Sequence, residues 1–326
     1  MKKILSLFLI VSILISLPLL AACSHESDSV RVWTLNGTTG FGIAELYDRA
    51  GRDEAALDYE FTVESDATKV RDALTAGIAD IAALPTNLAA NLYNATGGDI
   101  QILALNTAGV LYLVVNTARV SEPITSLADL AGKTVYVPAQ NPYFIAKALF
   151  DKAGVSLTLD ATITDPSELR NKMAGGIEGY DYAILPEPMV TIAQAGAAEG
   201  VTLSAPLSLT EEWDKHFTPG SLVQGCVVAR KAFIEENPEK IEAFLTEYQA
   251  SVTFVKEHPA EASVMIQSAG IFAQAKVAER AIPKCNLIFL RGSEMKAAME
   301  GFLAAMPIAS LGGKLPDAGF YYGGGV

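Results

Sequence analysis

The chain has 326 residues, half of them hydrophobic, with a formal net charge of −13. That is a globular composition, long enough for one large domain or two of about 100–200 residues, and it excludes a disordered or repeat chain. The acidic balance, with no Lys/Arg cluster, excludes a nucleic-acid partner, because such recognition rests on cations that neutralise phosphates.

The first residues read as a leader. MKK supplies a positive start, ILSLFLIVSILISLPLL an apolar core, and Leu20-Ala21-Ala22-Cys23 small residues at a cut. Residues 1–22 are therefore expected to be a signal peptide. LAAC resembles the bacterial lipobox, in which Cys23 is lipidated and becomes the mature N-terminus; a chance cysteine after an ordinary signal peptide is the alternative. Residues 23–28 would be a tether. Loss of Lys2 and Lys3 would take the net charge to −15, a charge that serves solubility and sets no fold.

Strand-like and helix-like segments then alternate. VRVWTL (30–35) is a strand, followed by the glycine-rich turn NGTTG and a helix over 41–50. YEFTV (59–63) is a strand, 67–76 a helix stopped by Gly77, DIAAL (80–84) a strand, and Pro85-Thr86-Asn87 a turn into a helix over 88–95. IQILALN (100–106) and GVLYLVVN (109–116) are strands. A second set follows: a short helix at 126–132, the strand KTVYVP, a helix at 143–153 and the strand LTLDATI. Asp165-Pro166-Ser167-Glu168 opens the next helix, with Asp as cap and Pro in the first turn. YDYAIL (180–185) is a strand, Pro186-Glu187-Pro188 a turn and 189–197 a helix. VQGCVVAR (223–230) is strand-like, and the remainder reads as mostly helical, beginning with an amphipathic stretch at 238–257.

This strand–turn–helix alternation argues for parallel sheets built from βαβ units. In such sheets ligands gather at the carboxyl ends of the strands. The turns 36–42, 85–87, 106–108, 138–142 and 186–188 hold that position, and two groups of them facing each other would make a cleft. Cys226 and Cys285 lie in apolar runs and either pair or stay as buried thiols. The three histidines lack ligand spacing, so neither a metal nor a cofactor is expected.

Four segments carry a resemblance. SLADLAGKTVYVPAQNPYFIAKALFDKAGV (126–155), GIADIAALPTNLAANLY (77–93), YDYAILPEPMVTIA (180–193) and FIEENPEKIEAFLTEYQASVTFVKEHPAEAS (233–263) resemble, in this order, the substrate-binding proteins of ABC importers in the nitrate/sulfonate/thiamine-precursor group. The resemblance implies an α/β, two-lobed, type II periplasmic-binding-protein fold: two mostly parallel sheets flanked by helices with a hinge between lobes. By it, residues 29–112 and 226–326 would form one discontinuous lobe and 113–225 the other.

The candidate ligand residues come from these turns. Asn36, Gly37, Thr38, Thr39 and Gly40 offer backbone N–H groups, hydroxyls and an amide at a helix start, although a threonine there could simply be the cap. Phe41 stands where a phosphate-binding loop needs lysine, so phosphate cradling is set aside. Pro85, Thr86 and Asn87 repeat the arrangement, Asn106 ends its strand, and Gln140, Asn141 and Tyr143 occupy the matching turn of the second set. Glu187 is the charged residue assigned to the turns. It would suit an amine or other donor on a ligand, or else cap its own helix or pair with a hinge residue. Trp33 and Tyr112 could stack a ring, though strand aromatics usually belong to the core.

The reading is a membrane-anchored extracytoplasmic binding lipoprotein, monomeric, that captures a small polar, heterocyclic or amine-bearing molecule and passes it to an ABC permease. A small anion such as a sulfonate or nitrate is the alternative ligand. An enzyme of the same fold, of the pyrimidine-precursor synthase or menaquinone-pathway lyase type, is a weaker alternative, since no paired acid/base groups stand at the strand ends. A sensing lipoprotein without a permease would share the same features.

Overall fold

The computed structural model describes residues 28–323; the leader, Cys23 and the tether as far as residue 27 lie outside the described residues. The strands are β1 Val30–Leu35, β2 Tyr59–Glu64, β3 Ile81–Pro85, β4 Ile100–Ala108, β5 Leu111–Asn116, β6 Thr134–Tyr136, β7 Thr158–Asp160, β8 Tyr182–Pro186, β9 Leu203–Ser208, β10 Val223–Arg230 and β11 Leu287–Leu290. They form two sheets, in the orders β11-β4-β10-β3-β1-β2 and β7-β6-β8-β5-β9.

Local signals explain the helix boundaries between them. Asp66 and Asp165 cap their helices by accepting from the N–H groups of Thr68 and Ser167, each at 2.8 Å. Ser126 and Asp129 complete a reciprocal capping box around Leu127–Leu130. Gly97 and Gly154 end theirs at φ +73° and +70°, a conformation that costs a glycine nothing.

Most strands in each sheet point one way, as the alternation predicts: β1 to β4 in the first sheet and β6 to β9 in the second. Neighbouring pairs are nevertheless mixed. The reversed strand β10 is inserted between β3 and β4, and β5, also reversed, between β8 and β9. A strand whose sequence partners lie elsewhere in the chain cannot be ordered from alternation, because its neighbours are set by long-range pairing. Four elements also depart from the sequence expectation. The helix expected at 41–50 begins earlier as the turn Thr38–Phe41 and resumes at Ala44–Ala50. Leu203–Ser208 with the helix Leu209–His216, and the strand Leu287–Leu290 inside the stretch read as mostly helical, were not anticipated.

Strands β3, β4 and β10 are buried along nearly their whole length, since helices cover both faces. One apolar cluster runs through both sheets, joining Leu105, Leu113, Trp213 and Leu222. Trp213 is fully buried, stacks on Phe217 at 3.9 Å and donates its indole N–H to Ser221 Oγ at 2.9 Å. Cys226 and Cys285 are both free and buried. Among the described residues no helix is long and apolar enough to cross a membrane, and no group of His, Cys, Asp and Glu could hold a metal.

The chain leaves the first sheet after Ala108 and enters the second at Leu111, so the crossing is only Gly109-Val110. It is pinned from three sides. Thr210 Oγ1 and Asn286 Nδ2 both donate to the Gly109 carbonyl, at 2.9 and 2.5 Å, and the Val110 N–H donates to Gln224 Oε1 at 2.7 Å. A Cβ on residue 109 would lie 2.3 Å from Thr210 Oγ1 and 2.5 Å from Leu222 Cδ2. Only glycine fits this close approach.

Candidate functional site

That short crossing decides where the turns meet. It joins the carboxyl end of β4 to the amino end of β5, and Leu111 at that end is in register with Pro186 at the carboxyl end of β8. The carboxyl ends of the parallel strands in both sheets therefore converge on the same junction.

In the first sheet, β1 feeds Asn36, which is exposed, and Gly37, whose φ of +79° turns the chain into the helical turn Thr38–Phe41. The cap is Gly37 and no side chain caps it, so Thr38 and Thr39, both half-buried, are not spent as caps. The N–H groups of Asn36 and Gly37 are spent on the carbonyls of Glu64 and Ile271, at 2.9 and 3.0 Å. Gly40 is buried, and a Cβ there would stand 2.0 Å from the Leu35 carbonyl oxygen.

Asn106 lies under this turn and is almost fully buried. Its Nδ2 donates to the Thr39 carbonyl at 3.1 Å and to Tyr248 Oη at 2.9 Å, while its Oδ1 accepts from Thr107 Oγ1 at 3.0 Å. Both ends of the amide are thus committed to the protein. Thr86 is likewise committed: fully buried, it donates to the Val223 carbonyl at 2.8 Å and so ties its helix to β10. Pro85 ends β3 half-buried. Asn87 differs, for its Oδ1 is buried without a hydrogen-bond partner.

The second sheet presents an analogous turn. Gln140 is exposed and holds φ +65°, ψ −127° at the position before the helix Asn141–Ala153, where the first sheet uses a glycine. A non-glycine residue in that region stores about 1–3 kcal/mol of strain, and such strain concentrates at ligand sites. Asn141 begins the helix with a buried, unpartnered Oδ1, the counterpart of Asn87. Tyr143 is half-buried, edge-on to Phe144 at 6.0 Å.

Glu187 is committed to its own helix start, one of the roles that its position allowed. Its side chain is closed to solvent; Oε2 accepts from the Thr191 N–H at 3.1 Å and Oε1 from Thr191 Oγ1 at 3.0 Å, which caps the helix Met189–Ala195. Lys284 Nζ lies 3.9 Å from Oε1. Burial pushes the Glu187 carboxyl above its usual range, and the Thr191 bonds and Lys284 only partly oppose this. Trp33 packs half-buried against the core. Tyr112 is half-buried too, but its hydroxyl donates to the Lys284 carbonyl at 2.8 Å, and burial, with the Glu187 charge, pushes the phenol up to about 12.

Reasoning from sequence missed Lys284, Thr191 and Asn286, and it missed the support under the first turn. There Ser251 Oγ donates to the Gly42 carbonyl at 2.8 Å and accepts from the Leu46 N–H at 3.0 Å, beside Tyr248. One signal existed: Tyr248 and Ser251 are polar groups three apart on the buried stripe of the helix Pro238–Glu257.

An ABC transporter protein from Parabacteroides distasonis superposes with a TM-score of 0.75 at 24% identity, over 90% of this chain and 99% of the other. The periplasmic aliphatic sulphonate-binding protein SsuA from Escherichia coli gives 0.66 at 14% identity, over 85% and 86%. The alkanesulfonate-binding protein SsuA from Xanthomonas axonopodis pv. citri, bound to MOPS, gives 0.60 at 12%, over 89% and 95%. No curated protein matches the sequence. The architecture is that of the periplasmic binding proteins, and, with a family match over residues 53–262, the chain belongs to the NMT1/THI5-like family.

Proposed function

We propose that the protein is the extracytoplasmic solute-binding component of an ABC importer, and that it holds a small polar molecule between two lobes, one built on each sheet. The observation that carries this reading is the convergence of both sets of carboxyl-end turns on the Gly109-Val110 crossing. Its structural relatives, an ABC transporter protein and sulfonate-binding proteins, support the same role. Lobe closure would be a hinge motion about the crossings, with the ligand favouring the closed form. We read the site as binding and not catalysis, because Glu187 is enclosed and committed to Thr191.

The ligand class follows from unmet hydrogen bonding. Asn87 and Asn141 each bury a carbonyl oxygen without a partner, one beside each sheet, and a buried acceptor left alone costs about 1–3 kcal/mol. Donors on the ligand, such as the N–H groups of an amine or heterocycle, would satisfy them. A small anion is the second reading, favoured by the sulfonate ligands of the two relatives.

Native mass spectrometry of freshly purified protein is expected to show one carried-over small molecule. A panel of polar heterocycles, amines and sulfonates should contain a compound that raises the melting temperature, and saturation at about 100 times Kd adds roughly 2.7 kcal/mol. Asn87→Ala and Asn141→Ala should each weaken that binding about fivefold, the value of one hydrogen bond near 1 kcal/mol. A panel without any shift, or alanine variants that bind as before, would count against the reading. Lipidation at Cys23 is a separate proposal: Cys23→Ser should move the protein from the membrane fraction to the soluble one, and continued retention would refute it.

A further inference from the structure

We propose that Lys284, acting with Glu187 and Tyr112, is a clasp between the two sheets that sets how far they close on each other. Tyr112 in β5 and Glu187 just past β8 belong to the second sheet, whereas Lys284 ends the helical turn Ile282–Lys284 that leads into β11 of the first. The two links differ in kind. Tyr112 Oη donates to the Lys284 carbonyl at 2.8 Å, and Lys284 Nζ stands 3.9 Å from Glu187 Oε1. Beside them the helices Ala275–Ala281 and Met189–Ala195 pack against each other.

The second link is adjustable. At 3.9 Å it is an ion pair beyond hydrogen-bond reach, and the Lys284 side chain is half exposed while that of Glu187 is shut off from water. Parting the sheets leaves a buried carboxylate without its counter-charge, so the pair favours approach of the sheets; the solvated ammonium keeps that preference modest, and reopening stays accessible. Thr191 holds the carboxylate in place through both oxygens, so the charge faces Lys284 in a fixed direction.

This clasp rests on the two-lobe reading, and its test separates the two. Small-angle X-ray scattering of the purified chain gives the radius of gyration of the wild type, Lys284→Met, Lys284→Arg, Glu187→Gln and the Lys284→Met/Glu187→Gln double variant. Glu187→Gln keeps an acceptor for Thr191, so the helix start survives. Both single neutral variants should raise the radius, the double variant should raise it no further than either, and Lys284→Arg should restore the wild-type value. Thr210→Val/Asn286→Ala, which frees the Gly109 carbonyl at the crossing, serves as the control. If the control expands and the Lys284 and Glu187 variants do not, the clasp is wrong and the moving lobes stand. If nothing expands, the lobes do not move and both readings fall. Additive expansion in the double variant would show two independent effects and overturn the pairing.

Discussion

Gly40→Ala is expected to destabilise the protein by about 3 kcal/mol, the upper end of the cost of forcing atoms into a packed site. The added Cβ would stand 2.0 Å from the Leu35 carbonyl oxygen and 3.0 Å from Ile271 Cγ2. The first obstacle is backbone at the end of β1, which cannot move without disturbing the pairing of Leu35 with Glu64. Gly37→Ala meets no atom within 4 Å, and its penalty is conformational only, about 1–3 kcal/mol for an L-residue at φ +79°, ψ −160°, a region essentially reserved to glycine. Urea unfolding monitored by circular dichroism should therefore lower the midpoint more for Gly40→Ala than for Gly37→Ala, at an unchanged slope. The reverse order would mean that the turn relaxes and that close approach does not dictate its glycine.

Asp80→Asn should also destabilise the protein, by about 2 kcal/mol, because it takes the charge from a buried acceptor that two partly exposed arginines bond. Asp80 is almost fully buried just before β3, at the end of the strand opposite the turn Pro85-Thr86-Asn87. Its carboxylate accepts from the Arg31 backbone N–H at 3.0 Å, from Arg31 Nε and Nη2 at 2.9 and 2.6 Å, and from Arg230 Nη2 at 2.5 Å, so one carboxylate locks β1, β3 and β10 together. Burial opposes its ionisation, but the bonds from the two arginines outweigh burial and hold its pKa below the ordinary value. A lowered folded pKa adds stability that is complete above the unfolded value, near 4, and is lost as pH falls through the folded value. Wild-type stability should thus decline below about pH 4, and Asp80→Asn should flatten that part of the acid limb. Equal acid sensitivity in both proteins would remove Asp80 from the explanation. Glu187 has the opposite sign. Its raised pKa costs stability as pH climbs through the folded value, so Glu187→Gln should be at least as stable as wild type at neutral pH.

Legibility of the site divides by the kind of residue. The turns were readable because glycine, proline and short polar residues between a strand and a helix are local signals, and Asn87 and Asn141 came with them. Which polar residues of those turns stay available was not readable. Thr86 and Asn106 look like Asn87 in sequence, yet each is consumed by a distant partner, Val223 or Tyr248. Glu187 likewise left three roles open in the sequence, where neither its bonds to Thr191 nor its approach to Lys284 could be read.

The amino-acid sequence by itself determined the alternation of strands, turns and helices, the cap at Asp165, and the placing of polar turns at strand ends, since each depends on residues within a few positions. Tertiary structure alone decided the insertion of β10 and β5 as reversed strands, the strand hidden at Leu287–Leu290, and the meeting of Lys284 with Glu187. Those outcomes rest on pairings between residues 67 or more positions apart, whose partners no local pattern specifies.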